Sequence, residues 1–332
     1  MINLKRLATA AGITALLATG ASARELQLGS VAPADSPWGN ALTGFAALVG
    51  QMSGGELTVT HFPAGQLGQE QEMARQLARG RLDMASLSNT AMSLLVPEVG
   101  LLSAPYLFDS HAHSDCTYGL LEDTFQGMLA DAGAVRLGPI EVGYQVILTM
   151  DEVAEVPADL AGQKIRSAPT SADTIYLSET GASPVPLNIP ETMQGLQTGA
   201  LSGATWPTIF AVAAGFTQVA PNVTVTNHVH QVGGVLISHE VWMTLTEEEQ
   251  AWLTAAADEG FPGLTAGIRK AEVDLLAAAE AGGATVYTPT EEEMAQWRAV
   301  AETANAKIVA DYGGDAEAIW ATIQEAAGSC AQ

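Results

Sequence analysis

The few basic side chains of this sequence are the best starting point for finding a binding site. The chain has 332 residues, and 13 Lys and Arg stand against 37 Asp and Glu, a formal net charge of −24. Most of the basic residues after residue 23 fall on predicted helix faces, where a solvated charge is the usual role. Arg166 differs, because it ends a short predicted strand over 163–167 and is followed by a loop.

The position of Arg166 suits the binding of an anion. In parallel α/β sheets, ligands bind outside the carboxyl ends of the strands. A guanidinium there presents a planar fork that matches a carboxylate through two hydrogen bonds. In so acidic a chain an ordinary surface ion pair is equally compatible with the residue types, so both interpretations stay open at this point.

Two histidine pairs are the other residues with possible chemistry. His111 and His113, and likewise His228 and His230, have the spacing that puts both rings on one face of a strand. Such a pair holds a metal only with further ligands. A structural or solvent-exposed role is the commoner one, and we expect no metal site.

Catalytic signatures are absent from the sequence. It contains no GxSxG, no HExxH, no Walker A motif and no GxGxxG after a strand. His239 and Glu240 begin an HExxH pattern, but the second histidine is missing. We therefore expect no catalytic residues, no cofactor and no enzymatic activity. A secreted hydrolase that uses the histidine pairs or a serine nucleophile is the alternative.

Composition excludes several classes of protein. A hydrophobic fraction of 48% is too high for a disordered chain, and the acidic balance argues against nucleic acid as a partner. No apolar run reaches the roughly 20 residues that span a bilayer, so we expect a chain that is not inserted in the membrane. The length favours about two domains.

Residues 1–23 have the pattern of a secretory signal peptide. Lys5 and Arg6 precede an apolar stretch over 7–18, and Ala-Ser-Ala at 21–23 fits the cleavage site. We predict cleavage after Ala23 and a periplasmic location. A single bridge between Cys116 and Cys330 is possible in that oxidising compartment, and the sequence leaves it open.

Hydrophobic periodicity predicts an α/β protein. Strands over 25–31, 56–62 and 83–87 alternate with helices over 37–52 and 69–79, an order that implies a parallel sheet.

The rest of the chain continues this pattern and ends in helices. Two separate strands are predicted over 135–139 and 142–148. Capping boxes open at Thr246 and Thr290, and the first predicts a helix that runs to about residue 281.

Taken in order, short motifs give the chain a resemblance to the periplasmic solute-binding subunits of TRAP transporters, of the DctP type. They span most of the predicted mature chain: VAPADSPW (31–38), FPAGQLG (62–68) followed by Glu70, GRLDMA (80–85), PEVG (97–100), PYLF (105–108), PADLAGQKIR (157–166), GASPVP (181–186) and GLQTG (195–199). Each motif is weak alone, but their order and spacing are those of the family.

The resemblance implies a two-lobed α/β receptor with crossing strands and a long C-terminal helix that spans both lobes. Lobe I would comprise 24–143 and about 232–270, and lobe II 144–231 and about 271–332. Arg166 matches the arginine that pairs with the substrate carboxylate in this family.

Two departures from the family pattern bear on the ligand. A second arginine often follows Gly-Phe, but here Gly143 and Tyr144 are followed by Gln145, and Thr205 replaces an acidic residue before Trp206. A sugar acid or dicarboxylate that needs two cationic partners is therefore disfavoured, and a monocarboxylate with an apolar or aromatic body is expected. The predicted ligand-binding residues are Arg166, Gln145, Trp206, Tyr144, Trp38, Asn89, Glu70 and Phe108, of which Phe108 fits core packing nearly as well.

The resemblance implies a receptor that captures a small organic carboxylate by cleft closure and delivers it to the TRAP membrane permease. A receptor of the same fold that is coupled to a signalling kinase is a further alternative.

Overall fold

The structure is a computed structural model, and it describes residues 23–331. Residues 1–22 of the predicted signal peptide lie outside the described residues, and cleavage after Ala23 stays a prediction. Among the helices within 23–331, none combines the length and the apolar character needed to cross a membrane.

The described residues form ten strands and eleven α-helices. The strands are β1 (Arg24–Gly29), β2 (Leu57–Phe62), β3 (Met84–Ser88), β4 (Ala134–Thr149), β5 (Lys164–Ser167), β6 (Ser183–Pro186), β7 (Gly203–Pro207), β8 (Asn222–Thr224), β9 (His230–Ser238) and β10 (Thr285–Tyr287). The helices are α1 (Pro37–Met52), α2 (Glu70–Leu77), α3 (Asn89–Met92), α4 (His111–Asp131), α5 (Ser171–Glu179), α6 (Ile189–Gln197), α7 (Thr208–Ala213), α8 (His239–Trp242), α9 (Glu247–Ala281), α10 (Glu291–Tyr312) and α11 (Ala316–Cys330).

Strand β4 connects the two halves of the sheet. The strand order is β2-β1-β3-β9-β4-β7-β5-β6, and β8 joins β4 to β10. The predicted parallel pairing of β1 with β2 and β3 is confirmed. Residues 134–144 of β4 pair with β9, whereas 145–149 pair with β7. The strand therefore crosses from one lobe into the other.

The prediction of two separate strands in the β4 region is wrong. Strand β4 is continuous, and its pairing with β9 shifts register between Arg136 and Gly138 and between Glu141 and Gly143. Such bulges insert an extra residue and bend the strand without ending it. They accommodate Pro139 and Gly143, whose residue types are typical of a strand break.

Helix α9 begins and ends where the sequence predicted. The Thr246 hydroxyl accepts a hydrogen bond from the Glu249 amide at 3.2 Å, and the Glu249 carboxylate accepts one from the Thr246 amide at 2.7 Å. The helix packs on α1 and β4 and reaches α7 and β10, so it contacts both lobes. The two-lobed fold with a long spanning helix is thereby confirmed. The division of the chain between the lobes stays a prediction.

Helix α4, which the sequence did not predict, is tied to the C-terminus. Glycines at 119 and 127 weaken its sequence signal, because glycine disfavours helix interiors. Cys116 in α4 and Cys330 in α11 form a disulfide with their Cα atoms 5.8 Å apart. The bridge that the sequence left open is thus present, and it closes a loop of 214 residues.

Candidate ligand-binding site

A cavity lies at the carboxyl ends of the parallel strands, where the two lobes meet. About 860 Å³ of space, including the open mouth, is enclosed by the ends of β1, β3, β5 and β7, by the middle of β4 and by the start of α2. Among the predicted ligand-binding residues, five line it: Arg166, Gln145, Trp206, Trp38 and Glu70.

Arg166 is held in a defined orientation in the wall of this cavity. Arg166 is the third of the four residues of β5, and it is only 5% exposed. Nε donates a hydrogen bond to the Leu187 carbonyl at 2.9 Å, and Nη1 donates one to the Thr205 carbonyl at 2.8 Å. The guanidinium carbon lies 3.4 Å from the centroid of the Trp206 ring, a cation–π contact. The two carbonyls and the Trp206 indole therefore fix the orientation of the Arg166 guanidinium.

The charge of Arg166 is buried without an ion pair to any described residue. Two of its five N–H donors are used, which leaves three for another partner. Burial lowers the pKa of Arg166 to about 9, although the charges of Asp173 and Glu70 act to raise it. The interpretation of Arg166 as an ordinary surface ion pair is therefore wrong.

The two nearest carboxylates are engaged with the backbone instead. Glu70 accepts hydrogen bonds from the amide and the hydroxyl of Ser88, at 2.8 and 2.9 Å, and so supports the start of α3. Asp173 accepts one from the Ala168 amide at 3.0 Å. Burial raises the pKa of both carboxyl groups, and these hydrogen bonds act against that rise. Both carboxylates hold neighbouring groups of the site in place, and neither forms an ion pair with Arg166.

Aromatic rings form one wall of the cavity. The Phe210 ring lies 5.1 Å from the Trp38 ring and 5.9 Å from the Trp206 ring, measured between centroids. Trp38 is anchored by its indole N–H, which donates to the Glu141 carbonyl at 2.6 Å. Sequence reasoning missed Phe210, although it lies only four residues after Trp206, in the helix α7 that follows β7.

Two buried polar atoms in the cavity wall have no hydrogen-bond partner within the described part of the chain. They are Oε1 of Gln145 and Nε1 of Trp206. Gln145 is 2% exposed and Trp206 is 6% exposed. Because an unsatisfied buried polar atom is unfavourable by about 1–3 kcal/mol, such atoms call for a ligand that supplies the missing bonds.

Tyr144 is not brought to the cavity. Successive side chains of a strand point to opposite faces, and the side chain of its neighbour Gln145 faces the cavity. The Tyr144 ring instead lies 4.6 Å from the His230 ring and 4.9 Å from the His111 ring.

Asn89 and Phe108 are likewise placed outside the cavity. Asn89 is 1% exposed and donates a hydrogen bond from Nδ2 to the Tyr118 hydroxyl at 2.6 Å. The Phe108 ring lies 5.6 Å from the same tyrosine ring, within a hydrophobic core. Core packing accounts for the position of Phe108, which was the alternative interpretation, and the hydrogen bond to Tyr118 holds Asn89.

The histidine pairs do not act as pairs. His111 and His113 lie in helix α4, so the strand spacing on which their pairing rested does not apply. His113 reaches the Ala327 carbonyl at 3.0 Å, whereas His228 precedes β9 and bonds the Thr226 hydroxyl at 2.7 Å. Instead, His111 of the first pair contacts His230 of the second pair, on the face of β4 that points away from the cavity.

Two lobes around a cavity lined by a buried arginine without an ion pair are the features of a solute-binding receptor. The sequence profile of the bacterial extracellular solute-binding protein family 7, DctP, matches residues 28–311. The chain belongs to this family. Its members are periplasmic solute-binding receptors of TRAP transporters and not enzymes, so the hydrolase alternative is set aside.

Individual relatives agree with this assignment. A solute-binding protein of Roseobacter denitrificans is 28% identical over 258 residues, which are 77% of this chain and 79% of the relative. The sugar acid binding protein DctPAm from Advenella mimigardefordensis, in complex with galactonate, superposes with a TM-score of 0.88 at 23% identity, covering 93% of this chain and 99% of that one. A TRAP periplasmic solute-binding protein from Roseobacter denitrificans with bound β-D-glucuronate has a TM-score of 0.84 at 23% identity, with 90% and 99% covered.

Proposed function

We propose that this receptor binds a small organic monocarboxylate in the cavity, with Arg166 as its carboxylate clamp, and delivers it to a TRAP membrane permease. The observation that carries the proposal is the buried guanidinium, which has three free N–H donors and no ion pair among the described residues. A fixed charge of this kind offsets the desolvation of an anionic ligand when the cleft closes. Among residues 23–331, Arg166 is the one cationic side chain that lines the cavity, which favours a single carboxylate.

The body of the ligand is proposed to carry hydroxyl groups, as a sugar acid does. The unsatisfied atoms of Gln145 and Trp206 favour hydroxyls as partners, and Ser30, Ser86 and Gln231 add further polar groups to the lining. The galactonate and glucuronate complexes of the structural neighbours support the same class. They weigh against the sequence-based expectation that disfavoured sugar acids.

A monocarboxylate with an apolar or aromatic body is the second candidate. The observation in its favour is the aromatic wall of Trp38, Trp206 and Phe210, continued by Ile140 and Val142. An apolar body would bury this surface but would leave the unsatisfied polar atoms of Gln145 and Trp206 without partners.

Capture would proceed by closure of the two lobes. Strand β4 runs through both lobes and changes partners after residue 144, so bending there would move one half of the cavity relative to the other. The ligand would then select the closed state by contacting both halves at once.

A thermal-shift screen followed by calorimetry tests this function. Galactonate, glucuronate and an aromatic acid such as phenylacetate are screened, since only a ligand of the folded state raises the melting temperature. Arg166→Ala should then weaken binding of the best ligand at least about 100-fold. Arg298→Ala, at an exposed arginine outside the cavity, is the matched control.

Unchanged affinity in Arg166→Ala would refute the carboxylate clamp. A neighbouring gene for a signalling kinase, in place of one for a large permease, would favour the kinase-coupled alternative.

A further inference from the structure

Three side chains with metal-binding atoms converge on the face of β4 that points away from the cavity. They are His111 at the start of α4, Glu141 in β4 and His230 in β9, and one ligand atom of each lies within 4.8 Å of the others. Ile140 and Val142 line the cavity, so the intervening Glu141 faces the opposite side. We propose that these three residues form a binding site for a borderline divalent cation, with Zn²⁺ the best match.

The separations of the ligand atoms suit such an ion. Nδ1 of His111 lies 3.2 Å from Nε2 of His230, and that nitrogen lies 2.6 Å from Oε1 of Glu141. Zinc bonds of 2.0–2.1 Å in tetrahedral geometry require ligand atoms about 3.3 Å apart. The two nitrogens already meet this requirement, whereas Oε1 of Glu141 must move about 0.7 Å farther from Nε2 of His230.

With His230 protonated at Nδ1 only, the cluster contains more lone pairs than protons to satisfy them. Oε1 of Glu141 is buried and has no aligned hydrogen bond from any described residue, although His230 is close to it. The facing nitrogens of His111 and His230 form one hydrogen bond only if one of them carries a proton. A cation would accept all three lone pairs together.

Neighbouring groups orient two of the three ligands as outer-shell partners do in metal sites. Nδ1 of His230 lies 2.8 Å from the Ser114 hydroxyl oxygen, which can accept a hydrogen bond from Nδ1–H and leave Nε2 free for a metal. Oε2 of Glu141 accepts a hydrogen bond from Nε of Arg269 at 2.9 Å, which leaves Oε1 free.

The chemistry of the donors selects the class of cation. Two imidazole nitrogens and one carboxylate suit Zn²⁺ and its neighbours, whereas Mg²⁺ and Ca²⁺ prefer oxygen ligands alone. Among the described residues, Asp115 and Glu141 pair with Arg269, and Glu272 lies 3.7 Å from His111, so three carboxylates stand against one arginine in these contacts. The His111 side chain is 30% exposed and provides a path for entry.

Titration of the chelator-stripped, full chain with ZnCl₂ tests the site. We expect one Zn²⁺ per chain, with affinity reduced at least about 100-fold in His111→Ala and His230→Gln. His239→Ala, at a histidine just beyond the end of β9, is the matched control and should bind as the unmodified chain does. Zn²⁺ should raise the melting temperature of the unmodified chain and of the control, but not that of His111→Ala.

Absorption of the Co²⁺-loaded chain gives an independent readout. We expect the intense visible bands of tetrahedral Co²⁺ without a thiolate charge-transfer band, because both cysteines are in the disulfide. Arg166→Ala should keep full zinc binding, which separates this site from the carboxylate clamp. The proposal is overturned if Zn²⁺ does not bind stoichiometrically, or if the zinc affinity survives in His111→Ala. The partly exposed position of His111 makes misfolding of this variant a poor explanation.

Discussion

Arg166 and Arg269 lie on opposite sides of strand β4, and they show how a carboxylate partner changes the pKa of an arginine. Arg269 lies 2.7 Å from the Glu141 carboxylate and donates to Asp115 at 2.8 Å. Its hydrogen bonds to Asp115, and the charge of Glu141, raise its pKa above the ordinary value. Burial without a carboxylate partner lowers the pKa of Arg166 to about 9. The paired arginine is part of the scaffold, whereas the unpaired one is set up for an external anion.

The largest expected difference between the two arginines is in stability. Arg269→Met should lower the free energy of unfolding by about 2–4 kcal/mol, because it leaves the buried Glu141 carboxylate without its cation. Arg166→Met should change it by no more than about 1 kcal/mol, since relief of desolvation offsets the lost hydrogen bonds. Urea denaturation of both ligand-free variants measures this. Equal losses would mean that Arg166 is a structural residue.

The second difference concerns the shape of the charge. Arg166→Lys should weaken ligand binding about 30-fold, or roughly 2 kcal/mol, because an ammonium cannot present a fork or stack on Trp206 in the same way. Arg269→Lys should leave ligand affinity within about twofold. Calorimetry with the best ligand from the screen compares the two. Full affinity in Arg166→Lys would show that the clamp needs only a positive charge.

The third difference is in the dependence on pH. Ligand binding requires protonated Arg166, and an anionic partner holds the proton more tightly, so the bound pKa exceeds the free value of about 9. Affinity should be flat below pH 8 and fall about tenfold between pH 8 and pH 10. Calorimetry across this range, with a ligand whose carboxylate stays ionised, gives the profile. A flat profile up to pH 10 would contradict an unpaired clamp.

The smallest expected effect comes from two neighbours on opposite faces of β4. Gln145→Met should weaken binding about fivefold, close to 1 kcal/mol, since it removes a hydrogen bond to the ligand. Tyr144→Phe should leave affinity unchanged, because that ring packs among the histidines behind the strand. Fluorescence titration of both variants is sufficient. If Tyr144→Phe weakened binding as much as Gln145→Met, Tyr144 would have to be a ligand-binding residue after all.

Local patterns in the sequence were sufficient for much of the fold. The alternation of strands and helices before residue 90 predicted the parallel sheet, and the capping boxes at Thr246 and Thr290 predicted where two helices begin. Such features depend on residues a few positions apart, so the chain carries them whatever its tertiary context. The position of Arg166 at a strand end is predictable for the same reason.

Contacts between distant residues could not be predicted in this way. The bulge between Glu141 and Gly143 decides which side chains of β4 face the ligand, and it depends on pairing with β9, about 90 positions away along the chain. The core placement of Asn89 and Phe108 likewise depends on Tyr118 in α4, a helix with a weak sequence signal.

The sequence by itself determined the class of protein and the scarce arginine at a strand end, because both rest on local order and residue type. Only the tertiary structure decided that Arg166 is buried without a partner while Arg269 is paired, and that His111 meets His230 rather than His113. The physical reason is that pairing, burial and convergence are properties of side chains brought together across long loops. Neither charge count nor spacing along the chain contains them.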